Sequence, residues 1–231
     1  MHSLDYLILA DSSLEILPEE FSKYPEARRL AERFGVPPSS QILDANFHSK
    51  IVGFLKEKQE KRGRPDVVHF ALLDATSTPL FSSANLQIYI HTWQNYVIHV
   101  KNDTRLPRTL QRFCGVMAKL LSNKIGTVES RLFSVQKDLS VKDLVSSLEL
   151  SRVTTFSKMG IQKSLENLVS ECTKQNERNG WIVGAFPHGH FGQEVTALSD
   201  TTTSISKHSL PAHVVTARLC YELEKSFPDL V

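Results

Sequence analysis

The sequence predicts an α/β fold, a mostly parallel sheet flanked by helices, with a β-hairpin extending from it. Three observations predict this. The C-terminal half alternates short apolar runs with segments of helical periodicity. The chain begins with an apolar run, Leu4 to Leu9, suited to a buried strand. Leu86 to Thr92 and Tyr96 to Val100 are alternating runs joined by Trp93-Gln94-Asn95, the pattern of a hairpin. Strand–helix alternation favours parallel strands, because parallel neighbours need a crossover long enough to hold a helix.

The remaining elements follow in order. Pro25 to Phe34 reads as a helix, with Gly35 as its stop and two prolines after it. Ser49 to Lys61 reads as another, its apolar Ile51, Val52, Phe54 and Leu55 followed by a solvated Lys/Glu tail ended by Gly63. Val67 to Leu73 reads as a strand. Arg108 to Leu121 reads as an amphipathic helix started by Pro107, with Leu110, Phe113, Met117, Leu120 and Leu121 as its apolar stripe. Strands are expected at Arg131 to Val135, Arg152 to Ser157 and Trp181 to Phe186. Helices are expected at Val141 to Leu148, Ile161 to Cys172 and Pro211 to Phe227. No Pro/Ser/Gly-rich linker or internal repeat interrupts the pattern, so residues 1–231 read as one domain with the hairpin around 80–105.

Composition excludes several classes. The chain is 41% hydrophobic and 23% charged, ordinary for a globular protein. Its formal net charge of +2 is not that of a polycation, so a nucleic-acid site must come from local clusters of basic residues. Cys114, Cys172 and Cys220 are far apart and odd in number, which fits a reducing compartment rather than a disulfide framework. The first ten residues lack the basic flank and cleavage site of a signal peptide. No apolar stretch approaches the roughly 18–20 residues of a membrane span. The histidines lack converging partners at metal-ligand spacing, so no metal is expected.

Four segments have residues suited to chemistry. In Lys61-Arg62-Gly63-Arg64-Pro65-Asp66, Gly and Pro stiffen a turn, and Arg64 and Asp66 are near enough to pair. A carboxylate can aim a guanidinium fork at a phosphate or base edge. An ordinary solvated basic turn is the alternative. Arg105, Arg108 and Arg112 form a second group. Arg108 and Arg112 are four apart and so share a face of the expected helix, with no acidic residue within four positions of either. Such a stripe suits an RNA backbone; an ordinary solvated face is the alternative. The third segment, Trp181 to His190, runs from an apolar strand into a loop with Gly184 and Gly189, where a ligand can approach backbone closely. The Gly-Lys-Ser/Thr ending of a P-loop is missing there, and the N-terminal GxGxxG of a dinucleotide-binding fold is missing from the chain. The fourth, Ser204 to Pro211, is a polar loop before the last helix. It can bind a ligand through its backbone or simply cap that helix.

Together these segments resemble the pseudouridine-N1-specific methyltransferases of small-subunit ribosomal RNA, a knotted SPOUT-class ribosome-biogenesis family. The resemblance spans nearly the whole chain. It is carried by Leu43-Asp44 with Asn46 and His48 to Lys50, by Lys61 to Val68, and by Ile88 to Thr92. It continues through Thr104 to Arg108, Arg112-Phe113 with Gly115 to Met117, Ile182 to Phe186 with His188-Gly189, and Ser204 to Ser206. It implies S-adenosyl-L-methionine as methyl donor and a C-terminal trefoil knot whose loops bind it. In this sequence those loops match Thr154 and Thr155, Gly184 and Gly189, and Ser206, Lys207, His208, Ser209, Leu210 and Pro211. It also implies that Arg64 contacts the target RNA and that Asp66 holds it. Both are expected to be catalytic, Arg64 stabilising charge on the base and Asp66 orienting it, with Asp66 as general base the alternative. Arg105, Arg108 and Arg112 match the family's RNA contacts. A homodimer is implied, and the apolar stripe of the Arg108–Leu121 helix is a candidate surface for it. Ribosomal RNA, and ribosomal or assembly proteins, are the implied partners. The short N-terminal segment resembles archaeal members, which implies a cytoplasmic location. An RNA-binding assembly factor in which methyl transfer is secondary is the alternative. An oxidoreductase is disfavoured by the missing dinucleotide fingerprint.

Overall fold

The computed structural model describes residues 4–102, 104–122, 127–173 and 178–230. Along the chain the elements are β1 (Leu4–Ser12), α1 (Pro25–Phe34), α2 (Ser49–Phe54), α3 (Pro65–Thr76), α4 (Pro79–Ser82), β2 (Leu86–Thr92), β3 (Val97–Val100), α5 (Leu110–Leu121), β4 (Thr127–Glu129), β5 (Phe133–Gln136), α6 (Val141–Ser147), β6 (Arg152–Gln162), α7 (Leu165–Thr173), β7 (Arg178–Gly184), α8 (Gln193–Ala197), β8 (Thr201–Ser204) and α9 (Ala212–Glu224).

One sheet runs through the described residues, in the order β4-β5-β3-β2-β1-β7-β6-β8. The block β2-β1-β7-β6-β8 is parallel throughout. β3, β5 and β4 complete it in antiparallel pairing. β2 pairs with β1 on one side and β3 on the other, so the β2–β3 pair lies within the sheet itself.

Strand residues alternate between the faces, and in β1 both faces are apolar. Leu7 and Leu9 pack with Ile88, Ile90, Trp181 and Val183 under α3, α5, α7 and α9. Tyr6, Ile8 and Ala10 pack on the other face with Val153 and Ile182 under α6 and α8. A third apolar cluster, Leu17, Phe21, Ala27, Leu43, Ile51 and Leu55, belongs to the segment with α1 and α2. Buried Asp5 ties β1 to β7 by accepting a 2.8 Å hydrogen bond from Trp181 Nε1, which gives the fully buried indole its polar partner.

Four expectations are corrected. Residues Val67 to Leu73 are not a strand but the middle of α3. Pro65 at the first helical position and Asp66 in the first turn start a helix there. Val68, Ala71, Leu72 and Ala75, at helical spacing, then bury one face of it. The second helix ends at Phe54 rather than running to Lys61. The basic stretch after it is not a solvated tail, because Lys61 and Arg62 are buried. The helix expected from Arg108 begins only at Leu110, after an extended Thr109, so Arg108 precedes it. Ile161 belongs to β6 rather than to the following helix.

The C-terminal ends of parallel strands are where ligand loops emerge in α/β sheets. In this fold the ends of β1, β6, β7 and β8 share one end of the parallel block. Close approach of β6 and β8 helps define it. A Cβ added at Gly160 would lie 2.6 Å from the backbone of Thr202 and Thr203. Gly160→Ala should therefore cost about 1–3 kcal/mol through overpacking. A Cβ added at Gly115, in the interior of α5, meets nothing within 4 Å, so Gly115→Ala should stabilise by roughly 0.5–1 kcal/mol. Urea midpoints that fail to move in opposite directions would contradict this.

Candidate functional site

The turn from Lys61 to Asp66 is held by its neighbours in the fold. Gly63 has a left-handed φ of +73°, and a Cβ there would lie 2.8 Å from Val52 Cγ2, so the position requires glycine. The Gly63 carbonyl accepts from Ala45 N–H at 2.8 Å, and Arg64 N–H donates to Ser13 Oγ at 2.8 Å. Arg64 immediately precedes α3, which starts at Pro65. Its Nε donates to Asp66 Oδ1 at 2.8 Å and its Nη2 to Asp66 Oδ2 at 2.7 Å, a bidentate fork. The hydrogen bonds to Asp66 raise the arginine above its ordinary pKa, so its charge is secure. Among the described residues nothing else bonds this guanidinium, which leaves its Nη1 edge open toward a cleft.

That cleft has a volume of about 530 Å³, and Arg64 and Asp66 are in its wall. The end of β7 contributes Gly184, and the following loop Phe186, His188 and Gly189. Ser209, Leu210 and Pro211 close another side ahead of α9. Segments far apart in sequence thus meet as expected at the ends of parallel strands. Gly189 has φ +92°. A Cβ at Gly184 would lie 2.7 Å from the Phe186 ring and 3.1 Å from Phe191. Phe186 and Phe191 pack edge to face there at 5.5 Å. Ser206 and His208 line a smaller adjoining cavity of about 80 Å³, while Lys207 is exposed and lines neither.

The structure does not bring Thr154 and Thr155 into the cleft. Both are buried within β6, and Thr155 Oγ1 bonds Ser199 Oγ. Phe156, Ser157 and Lys158, the next three residues, line it instead. They lie where β6 loses its regular register with β8, between Phe156 and Ile161. Up to Phe156 the strand is paired and committed to the core, and the break in register after it turns the Phe-Ser-Lys step to the cleft, a feature with no local sequence signal. Phe70 and His213, in contact at 5.9 Å, also line the cleft and carry no local signature.

Arg105, Arg108 and Arg112 are all exposed. The first two lie in the loop before α5 and the third in its first turn. This loop is pinned to α3, since His69 Nε2 donates to the Pro107 carbonyl at 2.7 Å and the His69 ring stacks on Phe113 at 4.7 Å. His69 lies one helical turn beyond Pro65, so the arginine loop is fastened beside the helix that begins with Arg64. A second histidine braces the other side. His48 Nδ1 accepts from Asp44 N–H at 3.1 Å, which leaves Nε2 to donate to Gln41 Oε1 at 3.0 Å.

Comparison with known proteins places this geometry in context. Residues 7–224 match the family model described as EMG1/NEP1 methyltransferase. A Staphylothermus marinus protein named ribosomal RNA small subunit methyltransferase Nep1 is 35% identical over 92% of both chains. A Pyrococcus furiosus protein of the same name is 35% identical over 84% of this chain and 85% of its own. The crystal structure of Archaeoglobus fulgidus Nep1 bound to S-adenosylhomocysteine superposes with a TM-score of 0.79. It shares 30% identity and covers 98% of this chain and 99% of its own.

The two bracing histidines make a prediction about acid. Burial holds both imidazoles below the ordinary histidine range. The unfolded chain, titrating near about 6.5, therefore binds more protons than the folded one as pH falls through that value. Stability should decline there by up to about 1.4 kcal/mol per pH unit for each histidine. Asp44, whose carboxyl burial pushes up, works the opposite way at lower pH. His48→Gln and His69→Gln should each lose less stability than the parent between urea titrations at about pH 7.5 and 5.5. Equal losses in parent and variants would show that neither ring is held neutral.

Proposed function

The chain belongs to the EMG1/NEP1 methyltransferase family, and from that premise we propose that it methylates N1 of a pseudouridine in small-subunit ribosomal RNA, using S-adenosyl-L-methionine. The observation that carries the proposal is a single cleft walled on one side by the Arg64–Asp66 fork and on the other by the Gly184–Gly189 and Ser209–Pro211 loops. The relatives are named for methylating small-subunit ribosomal RNA, and a solved relative holds S-adenosylhomocysteine, the donor's product.

The residues present suit the donor. A cleft of about 530 Å³ lies within the roughly 300–1,000 Å³ usual for small-molecule sites. Two glycines in its wall let a ligand lie close to backbone. Gly184, Gly189 and Ser209 to Pro211 would hold the donor, with Ser206 and His208 in the adjoining cavity. Lys207, Thr154 and Thr155 would act through the backbone or by shaping their strand and loop. The bound donor supplies the methyl group from its sulfonium.

The chain's own residues position and polarise the base. The N1–H bond breaks and its proton passes to solvent as the N1–methyl bond forms and the sulfonium becomes a thioether, while negative charge builds on the ring and its carbonyl oxygens. Arg64 can hydrogen-bond that charge through its open edge. Asp66 aims it. Both carboxylate oxygens already accept from Arg64, which favours aiming over proton abstraction. A stacked base must leave its stack to reach this depth, which is cheaper in a loop than in a helix. Arg105, Arg108 and Arg112, exposed and pinned beside α3, would neutralise phosphates. The trefoil knot and a cytoplasmic site of action belong to the same reading. Among the described residues no helix is long and apolar enough to cross a membrane.

A homodimer is part of the proposal, with a changed rationale. The apolar stripe of α5 is not available for it, because Phe113, Met117, Leu120 and Leu121 are buried in the chain's own core. The large apolar side chains left exposed on the packed α3–α9 pair are Phe70 and Tyr221. Phe70 lines the cleft, so a second subunit on this face would also border the site.

Three experiments test the reading. Tritiated methyl transfer to unmodified and pseudouridine-bearing small-subunit ribosomal RNA should label only the latter. Arg108→Ala should weaken RNA binding and reduce the slope of log K against log salt by roughly 0.7. Arg64→Ala should mainly lower turnover at saturating RNA. Absence of labelling would sink the enzyme and leave the assembly factor, while a flattened salt slope with intact turnover for Arg64→Ala would make it a phosphate contact. Sedimentation at micromolar concentration should give about 52 kDa, twice the 26.0 kDa chain. A monomer with full activity would refute the dimer.

A further inference from the structure

Lys61 is a cation in the protein interior. Its Nζ donates to Asp11 Oδ2 at 2.6 Å, with only 6% and 11% of the two side chains exposed. The same Nζ lies 4.7 Å from the centre of the Phe186 ring, and that ring lines the cleft. A desolvated ammonium draws strongly on both a carboxylate and an aromatic face. The position of Phe186 is therefore tied to a charge, where a methionine at 61 could fill the space without one.

Backbone bonds extend this link in both directions. His188 N–H donates to the Glu60 carbonyl at 3.2 Å, Ala185 N–H to the Ala10 carbonyl at 3.1 Å, and Ser13 N–H to the Ala185 carbonyl at 2.8 Å. Ser13 Oγ in turn accepts from Arg64 N–H at 2.8 Å. The side chain of Glu60 packs under Gly189, where an added Cβ would lie 3.1 Å from Glu60 Cγ. One short stretch, 60–64, thus touches the 185–189 loop at its start and presents the Arg64 fork at its end. Asp11, at the end of β1, stands between them.

We propose that Lys61 is a positioning residue that couples the two halves of the site, its charge locking the Phe186–Gly189 loop against the turn that carries Arg64 and Asp66. Filling the donor cleft then orders the turn that meets the base, and engaging the RNA tightens the donor loop. Such coupling is reciprocal and commonly amounts to roughly 5- to 150-fold in affinity. The inference rests on the proposed function for the identity of the two ligands.

Equilibrium dialysis of tritiated S-adenosylhomocysteine against the protein, with and without saturating pseudouridine-bearing, unmethylated small-subunit ribosomal RNA, tests it. The parent protein should bind S-adenosylhomocysteine at least about fivefold tighter with RNA present. Lys61→Met, read at a temperature where its circular dichroism matches the parent, should bring that ratio to within about twofold of one, and Lys61→Arg should restore part of it. A merely structural pair would lower the melting temperature and leave the ratio unchanged. Asp11→Asn removes the charge and keeps the size, and it is read the same way if Lys61→Met does not fold. A parent that binds S-adenosylhomocysteine with no RNA effect, or a folded variant with the parent's ratio, overturns the coupling. A parent that binds no S-adenosylhomocysteine would instead overturn the proposed function.

Discussion

Lys61 and Arg62 are consecutive cations inside the protein, and each meets a carboxylate from the stretch that ends β1. Lys61 reaches Asp11. Arg62 forks onto Glu15 at 2.8 and 2.6 Å and lies 4.4 Å from the centre of the Trp93 ring. Removing such charges from water costs several kcal/mol each, so the pairs hold only with close geometry, and losing one partner typically costs about 3–5 kcal/mol. Burial pushes the Glu15 carboxyl up while Arg62 pulls it back, which shows the same opposition of forces at one group. Apolar residues would serve stability as well. What the ion pairs add is direction, since they anchor the chain two and three residues before Arg64 and so bear on where the Arg64–Asp66 fork emerges.

From that anchor the rest of the site follows by packing. β1 lies between β2 and β7, so its carboxyl end stands beside the loop that leaves β7. α3 starts just after Arg64 and packs on α9, whose own start brings the Ser209–Pro211 loop into the cleft. His69 fastens the arginine loop to α3. No single segment contains the site. It exists because parallel strands send their connections out at the same end, and because buried polar contacts leave those connections little freedom.

The site's amino-acid types were legible because local chemistry marks them. Arg64 and Asp66 are two positions apart around a proline, and they do pair. The glycines at 184 and 189 mark a loop that comes close to a cleft. Where reading failed, a local pattern had two physical solutions. Val67 to Leu73 is β-branched and apolar enough for a strand, but Pro65, Asp66 and the burial of Val68, Ala71, Leu72 and Ala75 against the sheet decide for helix. The Lys/Glu stretch after Phe54 looked solvated because a run of charges usually is. Only Asp11 and Glu15, some fifty residues earlier, could have shown otherwise.

By itself, then, the sequence determined the layered α/β order, the helix of residues 25–34, the pairing chemistry of the Arg64 turn and the family. These rest on periodicity, turn residues and short-range contacts, all written within a few positions of one another. The tertiary structure alone decided that Lys61 and Arg62 lie inside, that Phe156 to Lys158 rather than Thr154 and Thr155 meet the cleft, and that the apolar face of α5 is spent on the core. Each depends on which distant carboxylate, strand register or helix face arrives at that point. Desolvation and close packing are properties of such meetings, and no single stretch of chain contains them.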